Sequence, residues 1–339
     1  MAGVEIPKGI YYEDRYMGLE VLYLVKINDK KQAVQSPIYL YARDEKRLVS
    51  RLGWGLFALL LIMLAAAFVM TLIMSMAAPD WVDSQYYLLI MNLVAQYCLA
   101  FPIGIWLLRR QPKSCIRESR LEFAQGARLF FICWFLMIVG SLLGAGAEAL
   151  MEQCFGIESV DYIDELLSEI DVFSSFAVAV MLAPIFEEAV FRKLLLDRLI
   201  KYGELPAVVA SGVLFGLYHC NFSQLFYAVL VGMVLAYVYV KTGRLRYSVI
   251  LHMLLNLNGA VLAPWLAANE GSVLASVYIL LQMAMIIAGA VFLIKSRKLV
   301  RFVPSEYNIS GREAQSIIWL NPGMMAFLLL IIINFAVNL

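Results

Sequence analysis

Nine apolar runs, each about as long as a helix needs to be to cross ~30 Å of hydrocarbon, limit what this chain can fold into. They lie at 54–76, 86–108, 129–150, 172–191, 205–221, 223–240, 247–266, 273–294 and 317–338. Inside lipid every backbone N–H and C=O has to be satisfied within its own segment, so such runs fold as helices packed on one another. The expected fold is all-α: a polytopic membrane helix bundle of about eight to nine transmembrane helices. Composition agrees, with 62% hydrophobic and 16% charged residues, against about 45–50% and roughly 25% in a soluble domain.

The charges between the runs give an orientation. Lys and Arg accumulate in cytoplasmic loops, and with residues 1–52 inside, all 27 basic residues fall on that side. The opposite segments, 77–85, 151–171 and 267–272, hold only acidic charges, Asp80, Asp83, Glu152, Glu158 and Asp171 among them. A multi-pass protein of the cell membrane is expected, amino terminus cytoplasmic and carboxyl terminus outside. The formal net charge of +1 hides this asymmetry. A basic inner rim faces anionic lipid, and no nucleic-acid partner is expected. The first run is too long and too late for a cleavable signal peptide, so it is read as an uncleaved targeting signal.

Four regions follow: a cytoplasmic segment 1–52, transmembrane helices with an acidic external helix 53–171, a core 172–266, and C-terminal helices 267–339. In the first, EVLYLVKI and QAVQSPIYLYAR flank the turn-rich NDKK, which predicts a small β-hairpin over 20–42. The five cysteines, Cys98, Cys115, Cys133, Cys154 and Cys220, form no C-x-x-C pair and read as packing residues. Gly140 with Gly144 and Gly212 with Gly216 have the four-residue spacing that lets helices approach closely in lipid.

The chemistry is concentrated in the core. Ionisable groups at membrane depth are costly unless paired or hydrated, which makes them functional candidates. Glu187-Glu188-Ala-Val-Phe-Arg192 follows a long apolar stretch. Glu188 and Arg192, four apart, share a helix face and can pair, while Glu187 points about 100° away and stays free. The only two histidines of the chain follow, in Phe215-Gly-Leu-Tyr-His219 and His252-Met-Leu-Leu-Asn256. His252 and Asn256 also share a face, setting an imidazole beside an amide. A histidine near a carboxylate suits proton shuttling, and an amide donor suits a developing oxyanion.

The order EExxxR, FxxxH, HxxxN on successive helices resembles the CPBP family of intramembrane proteases, which includes the CAAX prenyl endopeptidases and the bacteriocin-processing or self-immunity type. The matching stretch spans about 172–265. The resemblance implies a conical cavity open to the cytoplasm and a peptide or protein substrate, lipidated in the CAAX type. It further implies that Glu187 activates a water, assisted by His219. His252 and Asn256 would stabilise the tetrahedral oxyanion, and Glu188 and Arg192 would hold the geometry. Family members have also been described as metalloproteases, which would make Glu187, His219 and His252 zinc ligands. No cofactor is the favoured expectation, because Asn256 is a poor zinc ligand and a good oxyanion donor.

Depth raises one conflict. His252 lies about 8 Å of helix past Tyr247, in the inner third of the bilayer, whereas His219 lies about 21 Å past Leu205. Either that helix begins below the membrane surface, with Pro206 in its first turn, or Cys220–Gln224 forms a break buried in protein. Two readings of another class compete with a protease: a membrane immunity or regulatory protein without catalysis, and a proton-coupled transporter. The sequence shows none of the internal repeats common in transporters.

Overall fold

The computed structural model describes residues 12–16, 19–23, 37–82, 84–156, 170–269, 271–305, 307 and 309–337. Two strands, β1 (Tyr12–Tyr16) and β2 (Leu19–Tyr23), pair antiparallel with Tyr12 opposite Tyr23 and Tyr16 opposite Leu19. Besides a single helical turn at Pro79–Val82, ten helical segments follow among the described residues. They are α1 (Pro37–Ala77), α2 (Tyr86–Arg109), α3 (Phe123–Phe155), α4 (Val172–Tyr202) and α5 (Glu204–Tyr218). The remaining five are α6 (Phe222–Thr242), α7 (Leu245–Leu266), α8 (Val273–Ser296), α9 (Gly311–Trp319) and α10 (Pro322–Val337).

The expected bundle is present, with seven helices long and apolar enough to cross a membrane, or eight if the bent pair α9–α10 is one span. Three boundaries differ from the sequence reading. First, α4 does not stop at 191 but runs 31 residues to Tyr202, because Arg192 and Arg198 are buried among partners instead of reaching for headgroups. Second, α5 has only 15 residues, about 22 Å of helix and short of the ~30 Å needed to span. Third, the run at 317–338 is broken by a 65° bend between α9 and α10. There Pro322 cannot continue a helix, and Asn321 caps both ends: its Nδ2 donates to Ile317 O and Ile318 O, and its Oδ1 accepts from Met324 N.

The hairpin exists but sits earlier than expected. The expected first strand overlaps β2, the expected turn at 28–31 lies outside the described residues, and Pro37–Ala42 opens α1, where a proline suits a first turn. Most of the expected acidic external helix also lies outside the described residues; α3 reaches Phe155 and closes on Gly156 at φ 66°.

Helix α6 is the most buried span, held between α3 and α5. The small residues singled out in the sequence make this fit. An added Cβ at Gly140 would sit 2.2 Å from Tyr227 Cα, and one at Gly212 would sit 2.8 Å from Met233 N, so these backbones touch. On the basic side two loops strap the helix ends. Ser114 N donates to Asp197 O (2.6 Å) and Ser119 N to Thr242 O (2.8 Å), while Glu204 N donates to Val303 O (3.0 Å). Glu45 of α1 accepts from Lys201 Nζ at 2.6 Å and from the Tyr202 hydroxyl, tying the first helix to the end of α4. The result is a rigid frame around the middle of α4.

Candidate active site

Helices α4 and α7 run antiparallel and are pinned at three levels. Ser175 Oγ donates to Ala260 O (2.9 Å), Asn256 Nδ2 donates to Ala179 O (2.8 Å), and the Glu187-Glu188 pair faces His252. Glu187 falls midway between Val172 and Tyr202, so the carboxylates lie deep in the helix and not at its end. Its neighbourhood is locally π-helical on both sides, at Phe176–Leu182 and Ala189–Leu196. The wider turn of a π segment re-aims side chains and recurs at functional sites.

His252 bridges the two acids. Its Nδ1 is 3.2 Å from Glu188 Oε1, and its Nε2 is 3.7 Å from Glu187 Oε2. A carboxylate oxygen only accepts, so Nδ1 carries the proton and donates it to Glu188, which directs Nε2 at Glu187. The 3.7 Å gap is longer than a direct hydrogen bond. Glu188 is fixed from its other side by Arg192 Nε at 3.1 Å, and neither side chain has any exposure. Arg192 Nη1 donates to Ser211 Oγ (3.0 Å), which in turn donates to Phe191 O (2.9 Å). Glu188 thus pairs with Arg192, as their four-residue spacing allows, while Glu187 lies on the His252 side. Ser211, a serine without a motif around it, is a supporting residue that the sequence did not disclose.

His219 is held differently. Helix α5 ends at Tyr218, Cys220 adopts φ 54°, the one positive φ among described non-glycine residues, and the Asn221 side chain caps α6 by accepting from Gln224 N (2.8 Å). Of the two alternatives for His219 the buried break is thus present, and Pro206 also sits in the first turn of α5. His219 Nδ1 lies 2.8 Å from Phe215 O and must donate to it, which leaves Nε2 as a free acceptor. The Phe215 ring packs against both imidazoles, with centroids 4.9 Å from His219 and 5.6 Å from His252, both edge to face. The Arg192 guanidinium carbon lies 4.7 Å from the same ring centre. His252 and Glu187 are in near contact, whereas His219 is one phenyl ring away.

The metal alternative can be set against this geometry. Among the described residues no three His, Cys, Asp or Glu side chains converge closely enough to hold a metal ion. His219 donates Nδ1–H to Phe215 O, an orientation that a metal-ligating imidazole can also take, and the Phe215 ring packs on edge against both imidazoles.

Two tyrosines complete the surroundings of Glu187, and both escaped the sequence reading. Tyr97 of α2 packs edge-on against Phe186 (5.3 Å), and Tyr218 packs against Phe191 (5.4 Å); both are within electrostatic reach of the Glu187 charge. Tyr218 is signalled only by its place beside His219, and Tyr97 by nothing in its apolar run.

Residues 169–258, which contain all of these motif residues, match the family model of the type II CAAX prenyl endopeptidase Rce1-like proteins. This segment, about a quarter of the chain, is similar to that family. Over 169 residues, 48% of this chain and 67% of the relative, the chain is 24% identical to a Bacillus subtilis (strain 168) protein named "Putative membrane peptidase YdiL". No solved structure matches. The Rce1-like family it resembles is one of CAAX-type membrane proteases, and the long apolar helices make this chain an integral multi-pass membrane protein.

Proposed function

We propose that this protein is an intramembrane endopeptidase that hydrolyses a peptide bond of a membrane-associated or lipidated protein with a water activated by Glu187. The observation that carries the reading is the chain Glu187–His252–Glu188–Arg192, four ionisable side chains almost wholly withdrawn from solvent around one mid-helix point. Burying such groups is costly even when they are paired, so their presence here marks a functional site.

The chemistry follows from what each group can donate or accept. Glu187, free of Arg192, takes a proton from water, and the hydroxide oxygen bonds to the scissile carbonyl carbon. The carbonyl π pair moves onto oxygen to give a tetrahedral oxyanion. His252, tethered through Nδ1, and the second N–H of Asn256 lie on one face of α7, where they can donate to that oxyanion once Nε2 is protonated. The oxyanion collapses, the C–N bond breaks, and the proton first taken from water passes to the leaving amine. The free acceptor Nε2 of His219 serves to orient the attacking water. Substrate reaches the site from the basic, cytoplasmic side, with the amino terminus on that side.

The test uses the purified protein and an internally quenched, farnesylated CAAX peptide. Glu187→Gln should abolish cleavage while leaving thermal unfolding in detergent unchanged. Full cleavage by Glu187→Gln would refute the assignment. Activity that survives exhaustive chelation, with no stoichiometric metal in the purified protein, is expected of the water-activation route, and loss restored by zinc would overturn it.

A further inference from the structure

We propose that the Tyr218 hydroxyl is an additional catalytic hydrogen-bond donor of this site, aimed at the carbonyl oxygen of the scissile bond; this rests on the protease reading above. Tyr218 occupies the last residue of α5, immediately before the break at His219–Asn221, so the same turn that presents His219 also fixes the direction of its neighbour. The ring is held on edge against Phe191, one turn of helix beyond Glu187, and the side chain is 7% exposed. Rotation is therefore restricted, and the hydroxyl is placed by packing.

Its hydrogen bonding is unfinished. A buried phenol normally finds a full-strength acceptor. Among the described residues, the O–H of Tyr218 has only the Met63 thioether, at 3.8 Å, a weak acceptor at long range. Among the described residues the Tyr97 hydroxyl makes no hydrogen bond to it, although each lies within electrostatic reach of the other and of Glu187. By contrast the hydroxyls of two other buried tyrosines of this core are well used: Tyr202 donates to Glu45, and Tyr239 donates to Asp197 at 2.6 Å. Those two tie helices together on the basic side. Tyr218 keeps a strong donor with only a thioether as partner among the described residues, one residue before His219 and within electrostatic reach of Glu187.

The chemistry of peptide hydrolysis supplies the missing acceptor. A carbonyl oxygen presented to Glu187 becomes an oxyanion as hydroxide adds to its carbon, and a preplaced O–H gains strength as that charge develops. The proton stays on the tyrosine throughout; the hydroxyl donates and is not consumed. His252 and Asn256 approach from α7, and Tyr218 approaches from α5, so the oxyanion would be held from two helices instead of one.

Tyr218→Phe removes one oxygen and leaves the Phe191 contact intact. With the quenched farnesylated CAAX peptide, kcat should fall by about 100- to 1,000-fold, the range for loss of one oxyanion donor. KM should stay within about threefold, the pH profile of kcat/KM should keep its limbs, and the unfolding midpoint should not drop. A kcat within about threefold of wild type overturns the proposal. So does a loss accompanied by a shifted pH limb, which would make Tyr218 a positioning residue for the Glu187 carboxylate. Wild-type protein and Glu187→Gln run alongside. A cleaving wild type with an inactive Glu187→Gln upholds the protease reading, and the role of Tyr218 then stands or falls on its own variant, whereas a wild type that cleaves nothing removes both.

Discussion

Breaking the buried Glu188–Arg192 pair should destabilise the protein far more than any change to Glu187. The two charges are 3.1 Å apart and neither is exposed, so at an effective dielectric of about 20 their attraction is about 5 kcal/mol with little solvent screening. Removing one partner leaves the other charge buried, which costs about 3–5 kcal/mol in comparable pairs. Arg192→Met, which keeps most of the side-chain volume, should therefore lower the folded-to-unfolded ratio by about two to nearly four powers of ten. Losing the donor to Ser211 contributes to the same penalty. Glu188→Gln leaves Arg192 uncompensated and should cost a similar amount. The double variant removes both charges, and it should recover most of the stability because replacing a whole buried pair by neutral side chains is often close to neutral. Reversible SDS titration of the protein in mixed micelles, followed by tryptophan fluorescence, measures all four corners of the cycle. Additive effects, or an Arg192→Met variant within about 1 kcal/mol of wild type, would refute the claim that the pair is desolvated and mutually dependent.

The other expectations are narrower. Gly140→Leu should cost about 1–3 kcal/mol through separation of α3 from α6, because a Cβ there meets the Tyr227 backbone, whereas Gly146→Ala, with nothing within 4 Å, should not lower the unfolding midpoint. Asn258 accepts from Tyr278 at 2.7 Å and Gln282 at 3.1 Å, and Gln282 also accepts from Trp134 at 2.6 Å; Asn258→Ala should lose roughly 0.6–1.7 kcal/mol in the same titration by loosening α8 from α7. Asp171 is held below the ordinary carboxylate range by the Ser174 hydroxyl and by the amides of Ser174 and Phe173. Its contribution to the start of α4 is thus complete at neutral pH and fades as pH falls through that depressed value, and Asp171→Asn should flatten this part of the acid dependence of unfolding. Cys115, in the segment before α3, and Cys154, in the last turn of α3, are both exposed near opposite ends of that helix. A membrane-impermeant maleimide applied to intact cells should label Cys154 and spare Cys115, and the reverse pattern would invert the topology.

What the sequence disclosed and what it hid divide along a physical line. Length and polarity determine whether a segment lies in lipid, so the helical bundle and the positions of α1, α2, α3, α6, α7 and α8 were legible from apolar runs. The same criterion failed wherever polar atoms found partners inside the protein. Arg192, read by polarity alone, marks the end of a span, yet with Glu188 and Ser211 satisfying it α4 continues through. His219 read as too deep for a full crossing, because the helix stops at Tyr218 in a break satisfied by Asn221 and Gln224, which polarity alone does not announce. The motif glutamates and His252 were identifiable because ionisable residues are scarce in apolar runs, and scarcity survives without coordinates. Tyr97, Tyr218 and Ser211 were not, since tyrosine and serine are tolerated at many depths and only placement reveals which of them packs around the Glu187–Arg192 segment. Spacing within one helix is visible in a sequence because 3.6 residues make a turn. The order of approach between helices is not, and it is this order that brings His252 to 3.7 Å from Glu187 while leaving His219 behind Phe215.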